Sequence, residues 1–153
     1  MVSSPAADPL MVRRLLRAPL SRVFAAWTTP ADLTRWFGPR GWAVAAAAVD
    51  LRPGGGYQFQ LHLPGDGATM SLRGLYREVA APSRLSFTWR TEGAPISFGV
   101  TLVTVDFAAK DGHTEVRITH GGFKLPEIRD GHGEAWNASL DNLATLLASE
   151  PRP

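Results

Sequence analysis

Between Asp50 and Tyr57 the chain reads DLRPGGGY, a glycine run with a strand-like segment on either side. Pro53 fixes its own backbone torsion and biases Arg52 toward an extended conformation, and the glycines that follow reach the positive φ angles of a tight reversal. A glycine run can also cradle a phosphate. Here no Lys-Ser or Lys-Thr follows and Tyr57 opens an alternating pattern, so the segment is a hairpin connection. The Trp36-Phe37-Gly38 run shortly before it adds a second fixed point, and together the two mark a fold built on antiparallel strands.

From Trp42 onward the hydrophobic period is two, the mark of strands with one buried face. Tyr57, Phe59, Leu61 and Leu63 alternate with Gln58, Gln60 and His62. After a turn at Pro64 to Gly67, Met70, Leu72, Gly74 and Tyr76 share a face. Pro82 and Ser83 turn the chain into Leu85, Phe87 and Trp89. Two further strands, Phe98 to Ala109 and Thr114 to His120, are joined at Lys110, Asp111 and Gly112, where Asp-Gly is a strong hairpin signal. Leu10 to Ala18 forms a first strand of imperfect alternation. The spacing is that of a meander.

Helical periodicity occurs at the two ends. Pro19 opens a helix with Val23, Phe24 and Trp27 on one face. Thr29 caps a second short helix, with Pro30 at its first position and Leu33, Trp36 and Phe37 at three- and four-residue spacing. Near the C-terminus Trp136, Leu140, Leu143 and Leu147 step by four, three and four, an apolar stripe that ends before Pro151. Gly131 and Gly133 are poor helix formers, so Leu125 to His132 reads as a loop or a separate turn.

At 153 residues the chain fits one domain. The absence of cysteine removes thiol catalysis, zinc-thiolate sites and iron-sulfur ligation, and makes a reducing cytoplasm the expected compartment. The longest apolar run, Trp42 to Val49, has eight residues, against ~20 needed for a membrane span. The opening MVSSPAADPL has no basic cluster ahead of an apolar core and is expected to be a flexible tail rather than a secretion signal. Net charge is +2, and the 14 arginines and 2 lysines are scattered apart from Arg13, Arg14 and Arg17, so nucleic-acid binding is not expected.

A curved antiparallel sheet with one apolar face needs a cover, and the long C-terminal helix supplies it. The expected fold is α+β: a helix-grip arrangement of about six or seven strands wrapped around that helix, with two short helices after the first strand. Residues 10–149 form the domain, with tails at 1–9 and 150–153. The space between sheet and helix stays open wherever its lining does not fill it.

The order of blocks, PLSRVFAAW, TPADLTRWFGP, DLRPGGGY, GLYREVAAPSRLSFTW and WNASLDNLATLL, resembles the activator of heat-shock-protein-90 ATPase homologue family of the START-like, helix-grip superfamily. The resemblance runs from Leu10 to Ala148. It implies a cavity and leaves its occupant open, since that superfamily includes lipid carriers, hormone receptors, polyketide cyclases and aromatases. One departure concerns the last helix, which in the family commonly begins at Gly-Trp; here Glu134 and Ala135 separate Gly133 from Trp136.

None of the four histidines has metal-ligand spacing, and neither a metal nor a cofactor is expected. His120 ends an apolar strand face and is either a satisfied strand-end histidine or a general base. Glu78 shares the face of Gly74 and Tyr76. It would be a cavity-rim acid or base, or pair with an arginine across the strands. Tyr76 offers a hydroxyl at the cavity mouth. The GHGEAW segment at Gly131 lacks the third glycine of a dinucleotide fingerprint and follows no parallel strand, which excludes nucleotide binding there.

The aromatic residues Trp36, Phe37, Trp42, Tyr57, Phe59, Tyr76, Phe87, Trp89 and Trp136, with Leu140, are the candidate ligand-binding set, and each can equally be core packing. Three functions are therefore open: binding of a small hydrophobic, aromatic or lipid-like molecule; a cyclase or dehydratase using His120, Glu78 or Tyr76; and a chaperone-associated interaction domain. The first is the expected one. Homodimerisation through an exposed sheet edge is compatible with all three, whereas a chaperone partner is the least expected.

Overall fold

The computed structural model describes residues 8–65, 67–93 and 99–150. Among them the elements run β1 (Leu10–Leu16), α1 (Leu20–Thr28), α2 (Pro30–Trp36), β2 (Ala43–Val49), β3 (Gly56–His62), β4 (Thr69–Ala80), β5 (Arg84–Glu92), β6 (Thr101–Lys110), β7 (His113–Gly121) and α3 (Pro126–Ala148). The strands form one antiparallel sheet in the order β1-β7-β6-β5-β4-β3-β2, and it curves around α3 as the helix-grip arrangement requires. Most of the expected N-terminal tail, Phe98 and the last residues of the C-terminal tail fall outside the described residues.

The expected alternation is present strand by strand. In β3, Tyr57, Phe59 and Leu61 are buried between more accessible neighbours; in β6, Val103, Val105 and Phe107 are buried. The DLRPGGGY connection is a turn knitted to the neighbouring strand. Asp50 N–H donates to the Gly56 carbonyl at 2.9 Å, Gly54 N–H donates to the Tyr76 carbonyl at 2.8 Å, and Tyr76 N–H donates to the Gly55 carbonyl at 2.9 Å. Gly54 has φ +83°, which an L side chain adopts only with strain. The Asp50 carboxylate accepts from Arg52 Nε at 3.0 Å, closing the turn from its side.

The ladder between β4 and β5 shifts register between Tyr76 and Glu78. Just before the shift the two strands approach closely: Leu75 N–H bonds the Thr88 hydroxyl at 2.8 Å, and the Tyr57 hydroxyl donates to the Thr88 carbonyl at 2.6 Å. Gly74 sits at this crossing with no room for a side chain. Beside the bulge Glu78 is at the surface rather than at a cavity rim, and of its two expected fates the arginine partner across the strands is the one found. Its side chain is half exposed, with an oxygen 3.9 Å from the Arg84 guanidinium.

Thr29 separates the two short helices with an extended backbone, φ −101° and ψ 119°. Its hydroxyl makes no capping bond, contrary to expectation. The residue acts through its backbone, donating to the Ala25 carbonyl at 2.9 Å and accepting from Leu33 N–H at 3.0 Å. Arg22 then ties the helices together, reaching Asp32 at 2.9 Å and Glu150 at 2.7 Å.

The largest departure from expectation is the start of α3. The segment expected as a loop is helix from Pro126, making 23 residues in all. Pro126 begins it in the first turn, where a missing N–H costs nothing. Gly133 is there for packing, since a methyl group at that position would press on Leu10 of β1 at 3.1 Å. Tertiary contact outweighs the low helix propensity of glycine. Gly131 has no such reason, as a methyl group there meets nothing within 4 Å. Gly131→Ala is accordingly expected to raise stability by about 1 kcal/mol, read as a higher urea midpoint at unchanged m-value.

Trp136, Leu140, Leu143 and Leu147 are buried as one stripe of α3, joined by Leu146 and Ser139. Trp136 also stands at the centre of an aromatic cluster, with ring centroids 5.7 Å from Trp27, 5.9 Å from Phe37 and 5.2 Å from Trp89.

Candidate functional site

The N-terminal half of α3 stands off the sheet and leaves a cavity of about 350 Å³. Its floor comes from the sheet: Leu61 of β3, Met70 and Leu72 of β4, and Trp89 and Thr91 of β5. Phe37 and Pro39, just past α2, close one end. The helix contributes Ile128, His132, Ala135, Trp136 and Ser139, with Glu127 and Gly131 toward the exposed edge. Alternation aims the strand residues inward, and helical spacing brings positions 128, 132, 135, 136 and 139 onto one face.

Polar groups in this lining are few, and two are already engaged. The Ser139 hydroxyl donates to the Gly38 carbonyl at 2.7 Å and accepts from Gly38 N–H at 3.2 Å, pinning α3 to the turn after α2. His132 Nδ1 lies 2.8 Å from the Ile128 carbonyl, so Nδ1 carries a proton and donates. Burial pushes the His132 pKa down, partly opposed by that hydrogen bond, which keeps the imidazole neutral at pH 7.

Ten residues were candidates for either ligand contact or core packing, and the structure divides them. Phe37, Trp89 and Trp136 line the cavity. Tyr57, Phe59, Tyr76 and Phe87 lie deeper, around a second chamber of about 20 Å³ that Trp27, Leu33, Phe37 and Trp89 complete. Trp36 lines neither space; its Nε1–H donates to the Ala26 carbonyl at 2.9 Å and fastens α2 to α1. Leu140 is fully buried under α3, and Trp42 is half-buried beyond the end of α2, both outside the two spaces. Leu61, Leu72, Ile128, His132 and Ala135 were not foreseen. Continuing the helical stripe back from Trp136 by four to His132 and by four more to Ile128 is the signal that would have found the helix residues.

The three polar candidates fall in different places. Glu78 is exposed. Tyr76 belongs to the inner chamber, where burial pushes its pKa up to about 12 and keeps the phenol protonated. His120 is fully buried, and both its nitrogens are engaged. An indole N–H can only donate, so the 3.1 Å contact from Trp136 Nε1 makes His120 Nδ1 an acceptor. The proton therefore sits on Nε2 and is donated to the Thr101 hydroxyl at 2.7 Å, and that hydroxyl donates to the Trp89 carbonyl at 3.4 Å. Burial, reinforced by neighbouring His132, pushes the His120 pKa down to about 3. The side chain is a neutral strut joining α3, β5, β6 and β7.

Among the described residues no three His, Asp or Glu side chains converge as a metal-holding group, and no helix is long and apolar enough to cross a membrane. A curved seven-strand sheet gripping a long C-terminal helix, with a cavity between them, defines a START-like helix-grip protein. The chain belongs to the Activator of Hsp90 ATPase homolog 1-like protein family, which it matches over residues 17–148. It is similar to a solved structure from Chromobacterium violaceum at 26% identity and TM-score 0.80, covering 94% of this chain and 99% of that one. A Rhodobacter sphaeroides structure is similar at 26% identity and TM-score 0.81, covering 97% and 99%. CalU16 from Micromonospora echinospora, at 23% identity and TM-score 0.69 over 92% and 76% of the two chains, shares the fold. No curated protein matches the sequence significantly.

Proposed function

We propose that this protein binds a small apolar molecule, aromatic or lipid-like, in the cavity between the sheet and α3. The observation that carries the proposal is the open volume of about 350 Å³ walled by Phe37, Leu61, Leu72, Trp89, Ile128 and Trp136. Protein interiors otherwise close to crystal-like density, and an apolar cavity of this size is suited to an organic molecule rather than to water. Family membership supports the same reading at the level of the fold.

Cyclase or dehydratase chemistry has less support, because His120 is a neutral, doubly engaged strut, Tyr76 stays protonated and Glu78 is exposed. Chaperone docking rests on the family description alone.

The test is a fluorescence titration with N-phenyl-1-naphthylamine, a probe that brightens in apolar surroundings. The wild-type protein is expected to bind it one to one. Ala135 is half-buried in the cavity wall on a helix, so Ala135→Trp extends a large ring into the open volume at little backbone cost. Its binding is expected to fall more than about tenfold while its unfolding free energy in urea stays within about 1 kcal/mol of wild type. Equal probe binding by the two proteins would place the probe elsewhere and remove the support for this cavity.

A further inference from the structure

We propose that the inner chamber is the polar end of the same site: it receives a single neutral acceptor oxygen, so the ligand is an aromatic or alicyclic body bearing a ketone-like oxygen. This rests on the outer cavity being a ligand site, and it adds what that ligand must carry.

The inner chamber has about 20 Å³ of open space, enough for one oxygen-sized group. Two of its wall residues, Trp27 and Trp89, have buried Nε1–H groups with no acceptor among the described residues. The residues themselves are 4% and 8% exposed, so solvent does not serve these donors. The other two indoles of the core are satisfied, Trp36 by the Ala26 carbonyl and Trp136 by His120. Tyr57, also in the wall, gives its hydroxyl proton to the Thr88 carbonyl.

An orphaned buried donor is costly, and two on one chamber call for an acceptor supplied from outside the chain. Indole is donor-only, which excludes an ammonium or any other donor-only group as the partner. No cationic side chain lines the chamber, so a carboxylate would be desolvated without compensation. A neutral carbonyl-type oxygen fits. Phe37 and Trp89 line both spaces, their ring centroids 6.0 Å apart, so the two chambers abut, and the proposal seats the ligand's oxygen between these rings with its apolar body in the outer cavity.

The probes are 2-acetylnaphthalene and 2-isopropenylnaphthalene, which differ in carrying C=O or C=CH2 at one place. Affinities are measured by displacing N-phenyl-1-naphthylamine from the full chain, and the indole N–H signals are followed by 15N-correlated NMR, assigned with Trp27→Phe and Trp89→Phe. The ketone is expected to bind roughly ten times more tightly than the hydrocarbon. It should move the Trp27 and Trp89 indole protons downfield, with those of Trp36 and Trp136 nearly still. Trp27→Phe, at a residue that lines the inner chamber and not the outer cavity, should shrink the preference for the ketone to about threefold or less while hydrocarbon binding persists.

Equal affinities with unmoved indoles would overturn the inner-chamber proposal and leave the apolar cavity standing. If neither compound displaced the probe, the inner-chamber proposal would fall, while the outer cavity would stand or fall with the Ala135→Trp probe titration. A long-lived water that contacts the Trp27 and Trp89 indole protons and stays when the ketone binds would assign the chamber to a resident solvent molecule and overturn the ligand reading.

Discussion

Gly74→Ala is expected to cost about 4 to 5 kcal/mol or to prevent folding outright, the largest single-residue effect in this chain. A methyl group at position 74 would overlap the Thr88 carbonyl and press on the Tyr57 ring at 2.7 Å, and two of those contacts are with backbone. Flexible side chains move out of the way of an added atom, whereas this backbone is held from both sides. The Thr88 carbonyl accepts from Tyr57 and the Thr88 hydroxyl from Leu75 N–H. Relieving the overlap means separating β4 from β5 in the middle of the sheet, beside the residues that wall the inner chamber. The measurement is equilibrium unfolding in urea, with Gly131→Ala as the companion of opposite sign. The same one-carbon addition then destabilises at a strand crossing and stabilises on an open helix face. A Gly74→Ala protein with a wild-type midpoint would mean that the two strands do not cross this closely.

Acid is expected to weaken the protein well before its carboxylates begin to titrate. His120 has a folded-state pKa of about 3 against 6.5 when unfolded, so between these values the unfolded chain binds the extra proton. Stability from this group is therefore complete above pH 6.5 and declines as pH falls toward 3. The loss is about 2 to 3 kcal/mol by pH 4.5 and about 4 kcal/mol by pH 3. His132, also held below its ordinary pKa, acts in the same direction. Glu115 and Glu150, whose arginine and lysine partners lower their pKa values, add their losses only below about pH 4.5. The window from 6.5 to 4.5 thus isolates the histidines. His120→Gln is expected to be less stable at pH 7, because Trp136 and Thr101 lose their shared partner, and to show a visibly flatter decline across that window. A variant that kept the full wild-type slope would assign the acid sensitivity to another group.

How far the sequence reached is clearest from particular residues. Tyr57, Phe59 and Leu61 alternate with polar neighbours, and such a period can satisfy only a half-buried strand, so the sheet was legible. So was the stripe of Trp136, Leu140, Leu143 and Leu147. The first turns of α3 were not, because Gly131 and Gly133 have low local propensity while the reason for Gly133 is a contact with Leu10, more than a hundred residues away in sequence. With those turns went the Ile128 and His132 side of the cavity. For Glu78 the pattern left a cavity-rim place and an arginine partner across the strands both open; the structure shows the second, with Arg84, beside a bulge that leaves no compositional trace. His120 ends an apolar strand face, and that pattern left a satisfied histidine and a general base both open. That its nitrogens serve Trp136 and Thr101 depends on three separate elements meeting, which no local pattern encodes. The same limit applies to the aromatic set, where composition says the core is rich in rings but only the packing separates Phe37, Trp89 and Trp136, at the outer cavity, from Trp36 and Leu140, which fill space.

The most direct test of the cavity as a ligand site is native mass spectrometry of the wild-type and Ala135→Trp proteins, each mixed with 2-acetylnaphthalene. A one-to-one noncovalent complex with wild type that is nearly absent from the variant is the expected result. Complexes of equal abundance with both proteins, or none with either, would contradict it.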